Sequence, residues 1–381
     1  MTTMHVMGGA MTRFGKHPGV KAPELAQQAI LAAVADAGIE LKDVQAIYCA
    51  NVLGGMILGQ VILRDLGLAG IPVYNIENAC ASGATAVHLA RHALMAEQYD
   101  TVLVFGIEQL TQLGGGTIPM QRNDEKTDLF AQAGMVLPAV YAMRATRFLH
   151  ERDAQPADLA AIAVKNRYHG SLNEFAQQQT PVTLEEVLAS RMIADPLTLL
   201  QCCPSQVDGA AALVLSKRAG PHTKDVRVLG STVVSGLVEG ARDDILDAEI
   251  TARAARQAYE QAGIDPRDIG VVELHDAFTI AELLYYEALG LARHGEAVAL
   301  LKSGATQIGG RVPVNPSGGL LAKGHPLGAT GVAQMVELMW QLQGRAGKRQ
   351  ANAPRIGVAQ CTGGGIAGVD HAASSVHVLG V

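Results

Sequence analysis

The chain has 381 residues, 49% of them hydrophobic and 17% charged, with a formal net charge of −6. This length is too great for one ordinary hydrophobic core, and the composition is typical of a globular protein built from two or more packed units. The sequence has no dense block of Lys and Arg, no apolar run long enough to cross a bilayer and no signal-peptide core. These features exclude nucleic acid and membrane from the expected partners and predict a cytoplasmic location.

The first informative stretch is "ENACASG", Glu77 to Gly83, which lies between an apolar run typical of a strand and an Ala-rich run typical of a helix. A thiol at such a turn faces the unpaired N–H groups and the positive dipole end of the helix. Both features favour the thiolate over the thiol. The position of Cys80 therefore predicts a nucleophile with a lowered pKa.

Further along the chain, residues 114–204 combine helix signals with breakers and have no counterpart in the second half of the sequence. We interpret this segment as an inserted subdomain, a common place for substrate to be held. Within it, Thr183 is predicted to be the N-cap of a helix, followed by Glu185 and Glu186 in the first turn.

An internal repeat relates the two halves of the chain. "AGIELKDVQAIYCAN" from Ala37 matches "AGIDPRDIGVVELHD" from Ala262, and "CASGATAV" from Cys80 matches "HPLGATGV" from His325. A weaker match pairs "TVLVFGI" with "RIGVAQC", which ends at Cys361. We therefore expect two copies of one α/β unit, residues 1–245 with the insertion and residues 246–381.

Continuous apolar strands such as "TVLVFGI" and "GAAALVL" predict mainly parallel sheets covered on both faces. Two such units packed together would bury helices between their sheets. Small residues at the starts of the helices after Cys80 and His325 would allow a close approach in that middle layer. One half would then supply a nucleophile and the other half a base.

Four motifs, in this order and spacing, carry a family resemblance: Cys80 in "NACASG", His275 in "HDAF", His325 in "GHPLGATG" and Cys361 in "CTGGG". The chain resembles the thiolase superfamily over essentially its whole length, and "HDAF" makes it most similar to the sterol-carrier-protein type. The resemblance implies an α/β fold with two pseudo-symmetric halves stacked as a five-layer αβαβα sandwich with an inserted loop subdomain.

The resemblance also implies a role for each site residue. Cys80 would carry the acyl group, His325 would take its proton, and Cys361 would exchange protons with the α-carbon and with CoA. His275, with a bound water, would stabilise the enolate-like thioester oxygen, and the backbone N–H groups of Cys80 and Gly363 would form the second oxyanion hole.

One position departs from the sterol-carrier pattern, in which the third residue of the "HD-x-F" motif is often a cysteine with an acid/base role. Here Ala277 occupies that position and Cys361 stands at the usual thiolase position. The alternative interpretation of His275 is structural: it would form a hydrogen-bonded pair with its neighbour Asp276 and have no catalytic role.

The remaining histidines and cysteines have simpler interpretations. His88 and His92 are assigned no role, and Cys49, Cys202 and Cys203 are expected to be buried core residues. Five cysteines without paired C-x-x-C motifs fit a reducing compartment and argue against structural zinc, so no metal is expected.

The resulting hypothesis is a CoA-dependent acyltransferase that cleaves a 3-oxoacyl-CoA or runs the reverse Claisen condensation. Acyl-CoA and CoA are then substrates, with no permanently bound cofactor, and the Arg or Lys residues that bind the CoA phosphates are not identifiable. The alternatives are a condensing enzyme like ketoacyl synthases or 3-hydroxy-3-methylglutaryl-CoA synthase, and a weakly active acyl-CoA-binding scaffold. The resemblance implies dimers or tetramers and a small OB-fold protein as a candidate partner.

Overall fold

The computed structural model describes residues 4–68, 70–114, 136–237, 244–364 and 371–381. Residues 115–135 of the expected insertion therefore lie outside the described part of the chain. The strands are β1 (His5–Met11), β2 (Ala46–Ala50), β3 (Val73–Ile76), β4 (Thr101–Gln109), β5 (Met192–Ala194), β6 (Leu197–Thr198), β7 (Asp208–Ser216), β8 (Arg227–Ser235), β9 (Val271–Glu273), β10 (Ile356–Gly363) and β11 (Ala373–Gly380).

The helices alternate with these strands along much of the chain. They are α1 (Ala22–Asp36), α2 (Leu58–Arg64), α3 (Ser82–Met95), α4 (Leu137–Glu151), α5 (Pro156–Ser171), α6 (Leu184–Ala189), α7 (Glu249–Ala262), α8 (Thr279–Ala288), α9 (Ala297–Lys302), α10 (Gly319–Ala322) and α11 (Leu327–Gln343). None of the helices in the described ranges is both long and apolar enough to cross a membrane.

Nine strands are hydrogen-bonded in the order β3-β2-β4-β7-β1-β8-β11-β10-β9. Their two halves, β3 to β1 and β8 to β9, meet through the pair His5 and Arg227 between β1 and β8. Three neighbouring pairs are parallel, β2 with β3, β2 with β4 and β9 with β10, and the others are antiparallel. The expectation of mainly parallel sheets is therefore wrong. The apolar run of β7 is continuous because both of its faces are buried, which is independent of strand direction.

Three apolar cores separate the layers. The outer core of the first half joins α1 to side chains such as Phe105, and the outer core of the second half joins α7 and α8 to side chains such as Val376. Between them, Val87 of α3 and Val332 of α11 belong to a central core. Helices, sheet, helices, sheet and helices follow one another, so the predicted five-layer order is confirmed.

The repeat is visible in the elements themselves. In the first half α1 leads through a short turn to β2, and in the second half α7 leads through a similar turn to β9. Helices α3 and α11 occupy equivalent places, and both contact strands of both sheet halves. This arrangement puts the starts of α3 and α11 next to each other.

Glycines allow these two central helices to pack backbone against backbone. A Cβ on Gly83 would lie 2.7 Å from Gly328 O, and one on Gly331 would lie 2.3 Å from Ala84 N. These separations are shorter than any ordinary carbon contact, so only glycine fits. The predicted close approach is confirmed, and it determines how near the two helix starts can come.

The insertion packs against the second half through a buried polar network. Lys165 of α5 contacts Glu282 of α8 at 2.7 Å, and Asn166 donates to both Glu282 and Asp276 at 2.8 Å. The Lys165 ammonium pairs with the Glu282 carboxylate, while burial and the neighbouring Glu282 raise the pKa of Asp276 to about 7. Thr183 caps α6 by accepting a hydrogen bond from Glu186 N at 3.2 Å, as predicted.

Replacing the glycine at the helix contact tests its importance. We expect Gly331→Ala to lower the free energy of unfolding by about 3 kcal/mol, because the added methyl group forces α3 and α11 apart. Gly309→Ala is the control, since residue 309 has a φ of +90° with no atom within 4 Å of an added Cβ. That control adds backbone strain alone, worth about 1 kcal/mol. Equal urea midpoints for the two variants would contradict the tight contact.

Candidate active site

Cys80 and His325 come together from the starts of the two central helices. Cys80 lies two residues before α3 and His325 two residues before α11. His275 follows β9 and joins them, and the Cys80 Sγ and one imidazole nitrogen of each histidine all lie within 4.8 Å of one another. The predicted proximity of a thiol from one half and imidazoles from the other is therefore confirmed.

The Cys80 turn is held in an unusual conformation by its own side chains. Ala79 has a φ of +48°, a region that residues other than glycine rarely adopt. Ala79 N donates to the Glu77 carboxylate at 2.7 Å, and the Ser82 hydroxyl donates to Ala79 O at 2.6 Å. Such strain persists where the surroundings over-determine the backbone, and here it aims Cys80 into the site.

The end of β10 presses against this turn from the other side. A Cβ on Gly363 would lie 2.5 Å from Asn78 O and 3.0 Å from Cys80 N, so a larger residue would displace the turn. The Cys361 Sγ lies 3.1 Å from Cys80 O, and its side chain is 1% exposed. Cys361 is therefore directly behind the nucleophile position.

Hydrogen bonds define the tautomer of His325. Its Nδ1 lies 2.8 Å from the Thr330 hydroxyl, which donates its own proton to Pro326 O at 3.0 Å. The hydroxyl must therefore accept from Nδ1–H, which leaves Nε2 as the unprotonated nitrogen. That Nε2 is 3.3 Å from the Nε2 of His275, and one imidazole nitrogen of His325 lies within 4.8 Å of the Cys80 Sγ.

Burial keeps the site residues neutral. Desolvation raises the pKa of the Cys80 thiol to about 12, and the nearby Glu108 carboxylate adds to the effect. Desolvation and the neighbouring His275 hold the pKa of His325 well below its ordinary value. The expected lowering of the Cys80 pKa is therefore wrong, because loss of solvent outweighs the backbone N–H donors at the turn.

His275 does not form the alternative pair with its neighbour. The Asp276 carboxylate accepts instead from Leu320 N at 2.7 Å and from Asn166 at 2.8 Å, at the start of α10. The Nδ1 of His275 is 3.3 Å from the Thr362 hydroxyl. Burial lowers the pKa of His275 to about 4, so this imidazole is neutral at physiological pH.

A cavity of about 380 Å³ opens in front of Cys80. Its lining includes Cys80, His275 and His325, and its walls are mostly apolar, with Tyr141 and Phe278 stacked at 4.4 Å between ring centroids. The insertion supplies much of the wall, through Leu137, Pro138, Tyr141, Arg191, Ile193, Leu199, Cys202 and Cys203.

Sequence reasoning missed part of this lining. Cys202 and Cys203 are not core residues as expected, because both line the cavity, whereas Cys49 is buried as expected. Cys203 N donates to Ala277 O at 2.8 Å, which places this thiol beside the position that departs from the sterol-carrier pattern. The sequence offers one hint of a thiol at this place: Ala277 occupies the position where the sterol-carrier pattern often has an acid/base cysteine.

The thiol and two imidazoles are donors of the kind that zinc prefers. Among the described residues, Cys80, His275 and His325 form the one group of potential metal ligands this close together. The same three groups are those that the thiolase resemblance assigns to acyl transfer. A metal ion held by them would occupy the place that an acyl donor needs.

Comparisons with known proteins agree with this geometry. The profile described as "Thiolase, N-terminal domain" matches residues 4–219, and the one described as "Thiolase C-terminal domain-like" matches residues 232–380. The chain is 40% identical to the benzoylsuccinyl-CoA thiolase subunit BbsB of Thauera aromatica, with 95% of each chain covered. It is 39% identical to the acetyl-CoA acetyltransferase of Methanothermobacter thermautotrophicus, over 96% of this chain and 97% of that protein.

More distant comparisons point the same way. The chain is 38% identical to human sterol carrier protein 2, covering 92% of this chain and 68% of that protein. The solved structure titled "Ltp2-ChsH2(DUF35) aldolase" superposes with a TM-score of 0.85 at 27% identity, over 100% of this chain and 98% of that one. With both family profiles matched and three relatives above 30% identity over nearly its full length, the chain belongs to the thiolase family.

Proposed function

We propose that the protein is a thiolase-type acyltransferase, which cleaves a 3-oxoacyl-CoA with free CoA or catalyses the reverse Claisen condensation. The observation that carries this proposal is the position of the Cys80 thiol within 4.8 Å of an imidazole nitrogen of His325, in a mostly apolar cavity that both residues line. A thiol beside a base that a third group orients is the arrangement needed for covalent acyl transfer.

In the direction of cleavage, the Cys80 proton passes to His325 Nε2 as sulfur attacks the 3-oxo carbon. The bond between the α-carbon and that carbon then breaks, and Cys361 donates the proton that the α-carbon needs. The thiol of CoA returns a proton to Cys361 and attacks acyl-Cys80, which releases the second acyl-CoA. The Cys80 sulfur, expelled as a thiolate, takes its proton back from His325. Protons and charge balance over the cycle.

Two sets of donors would stabilise the developing negative oxygens. The N–H groups of Cys80 and Gly363 serve the oxygen on the acyl group held by Cys80, supported by the contact between the two segments. His275 serves the thioester oxygen when it becomes enolate-like. One donor of this kind typically contributes about 3 kcal/mol to the barrier.

The cavity supports a bulky apolar acyl group as the natural substrate. The stacked rings of Tyr141 and Phe278 form one wall, and most other lining side chains are aliphatic. Two of the relatives carry names that refer to benzoylsuccinyl-CoA and to acetyl-CoA. We favour the larger class, because a short acetoacetyl group would leave these walls without a partner.

Two thiol variants test the chemistry, and a third serves as their control. We expect Cys80→Ala to abolish both acylation and cleavage, since the nucleophile is removed. Cys361→Ala should leave the Cys80 thiol open to alkylation by iodoacetamide and lose at least about 100-fold in cleavage, because the α-carbon loses its proton donor. The measurement is loss of 3-oxoacyl-CoA absorbance with acetoacetyl-CoA, medium-chain and aryl substrates, together with intact-protein mass spectrometry for acyl-Cys80.

Cys203→Ala is the matched control, because this thiol lines the cavity but has no assigned role. It should keep cleavage within a few-fold of the wild type. Loss of cleavage in Cys203→Ala with retention in Cys361→Ala would transfer the proton-donor role to Cys203. Acylation without cleavage of any substrate would favour the scaffold, and decarboxylative condensation would favour the synthase alternative, which needs no α-proton donor.

Because Cys80 and His325 are both neutral at rest, the reactivity of the Cys80 thiol has a distinctive pH dependence. Because the thiol pKa is raised to about 12, the thiolate fraction of Cys80 grows with pH throughout the neutral range. We expect alkylation of Cys80 by iodoacetamide to accelerate about tenfold per unit between about pH 6 and pH 9. A thiolate–imidazolium pair would give a flat profile instead. Peptide mass spectrometry, with Cys80→Ser as control, separates this residue from Cys202 and Cys203.

We also propose that the protein is a cytoplasmic homodimer. All five cysteines are free thiols, which fits a reducing compartment. The apolar strand β4 is not available for pairing with a second copy, because it is paired on both sides, with β2 and β7. The edge is β3, where Tyr74 is 43% exposed, and an open edge is a template for pairing with a second copy.

A charge on this edge tests the dimer. We expect Tyr74→Lys to shift the protein towards monomer in size-exclusion chromatography with light scattering, because lysine on an edge strand opposes pairing. Leu31→Lys is the control, since Leu31 of α1 is similarly exposed at 47% and far from β3 along the sheet. A wild-type monomer, or dissociation by the control alone, would contradict this interface.

We propose a small OB-fold protein as a further partner. Its support is the high similarity to a solved structure whose title names a DUF35 component. A mixture with such a protein, analysed on the same column, shows whether the two associate.

A further inference from the structure

A chain of buried hydroxyl groups ends on the back of the His275 ring. The Thr362 hydroxyl is 3.3 Å from His275 Nδ1, and the Tyr285 hydroxyl is 3.1 Å from Thr362 Oγ1. All three side chains are buried, with Thr362 fully so. Thr362 lies between Cys361 and Gly363, yet the family motifs in this sequence gave it no role.

The direction of these hydrogen bonds follows from proton counting. Since His325 Nε2 is unprotonated, the 3.3 Å contact between the two Nε2 atoms requires the proton on His275. A neutral imidazole carries one N–H, so His275 Nδ1 is then an acceptor. Thr362 then donates its single proton to that nitrogen, and its oxygen can accept from the Tyr285 hydroxyl, which also lies 3.5 Å from His371 Nε2.

The other tautomer would work against catalysis. With its proton on Nδ1, His275 would present the lone pair of Nε2 to the thioester oxygen, just as that oxygen becomes negative. Repulsion would replace a hydrogen bond at the point where electrostatic stabilisation has the greatest effect on the barrier. The orientation of the Thr362 hydroxyl therefore bears on the carbon–carbon bond step.

We propose that Thr362 is a positioning residue, which, with Tyr285 behind it, keeps the His275 proton on Nε2 and aims it at the enolate oxygen. The proposal rests on the thiolase-type function proposed above. The proposal assigns Thr362 to the oxyanion hole formed by His275 and not to the other one, because acyl transfer to Cys80 uses backbone N–H groups and His325. Only the making or breaking of the carbon–carbon bond depends on Thr362.

The test compares two reactions in the same protein. Thr362→Val keeps the shape and removes the hydroxyl, and we expect it to lower kcat for 3-oxoacyl-CoA cleavage about tenfold, the effect of losing one neutral hydrogen bond. Exchange of the acyl group between acyl-CoA and dephospho-CoA, which proceeds through acyl-Cys80 alone, should change less than about twofold. Thr362→Ser should restore cleavage, because serine keeps the donor.

Thr232→Val controls for the loss of a buried hydroxyl. Thr232 bonds to Ala254 O at 2.8 Å in the second half of the sheet, outside the cavity lining, and both reactions should be unaffected by its replacement. An equal fall of cleavage and exchange in Thr362→Val, or no fall in cleavage, would overturn the proposal while leaving the thiolase function standing. A wild-type enzyme that cleaves no 3-oxoacyl-CoA would instead remove the function on which it rests.

Discussion

The contact between α3 and α11 is the constraint on which the rest of the structure depends. Helix α3 follows β3 and helix α11 follows α10, and a residue of the site lies just before each start, Cys80 in one case and His325 in the other. Only glycines such as Gly83 and Gly331 let the two backbones approach so closely. Backbone packing therefore determines how far apart the backbones of Cys80 and His325 lie, and their side chains bridge the remaining distance.

The architecture could be predicted from the sequence because the internal repeat relates segments in both halves of the chain. Matching Cys80 with His325 located both helix starts and implied their meeting, and the structure confirms it. Strand direction was not predictable in the same way. The run in β7 is apolar because both faces are buried, and such a run is identical in parallel and antiparallel pairing.

Site electrostatics and the cavity wall were the parts that sequence could not supply. The helix terminus at Cys80 was visible in the sequence, but the extent of burial and the carboxylate of Glu108 were not, and these determine the sign of the pKa shift. The approach of Cys203 to Ala277 likewise joins residues far apart in the chain. Hydroxyl groups such as Thr362 carry no periodic or motif signal, so only their contacts reveal what they touch.

The walls of the cavity and the residues of the site come from different segments of the chain. Tyr141 belongs to α4 of the insertion, whereas Cys80 and His325 belong to the central layer, and the insertion is anchored separately through Lys165 and Glu282. Substitutions in α4 can therefore reshape the space for an acyl chain without moving the sulfur or its base. A fold divided in this way lets new acyl-CoA specificities arise by mutation of one peripheral segment, while the ancestral chemistry is inherited intact.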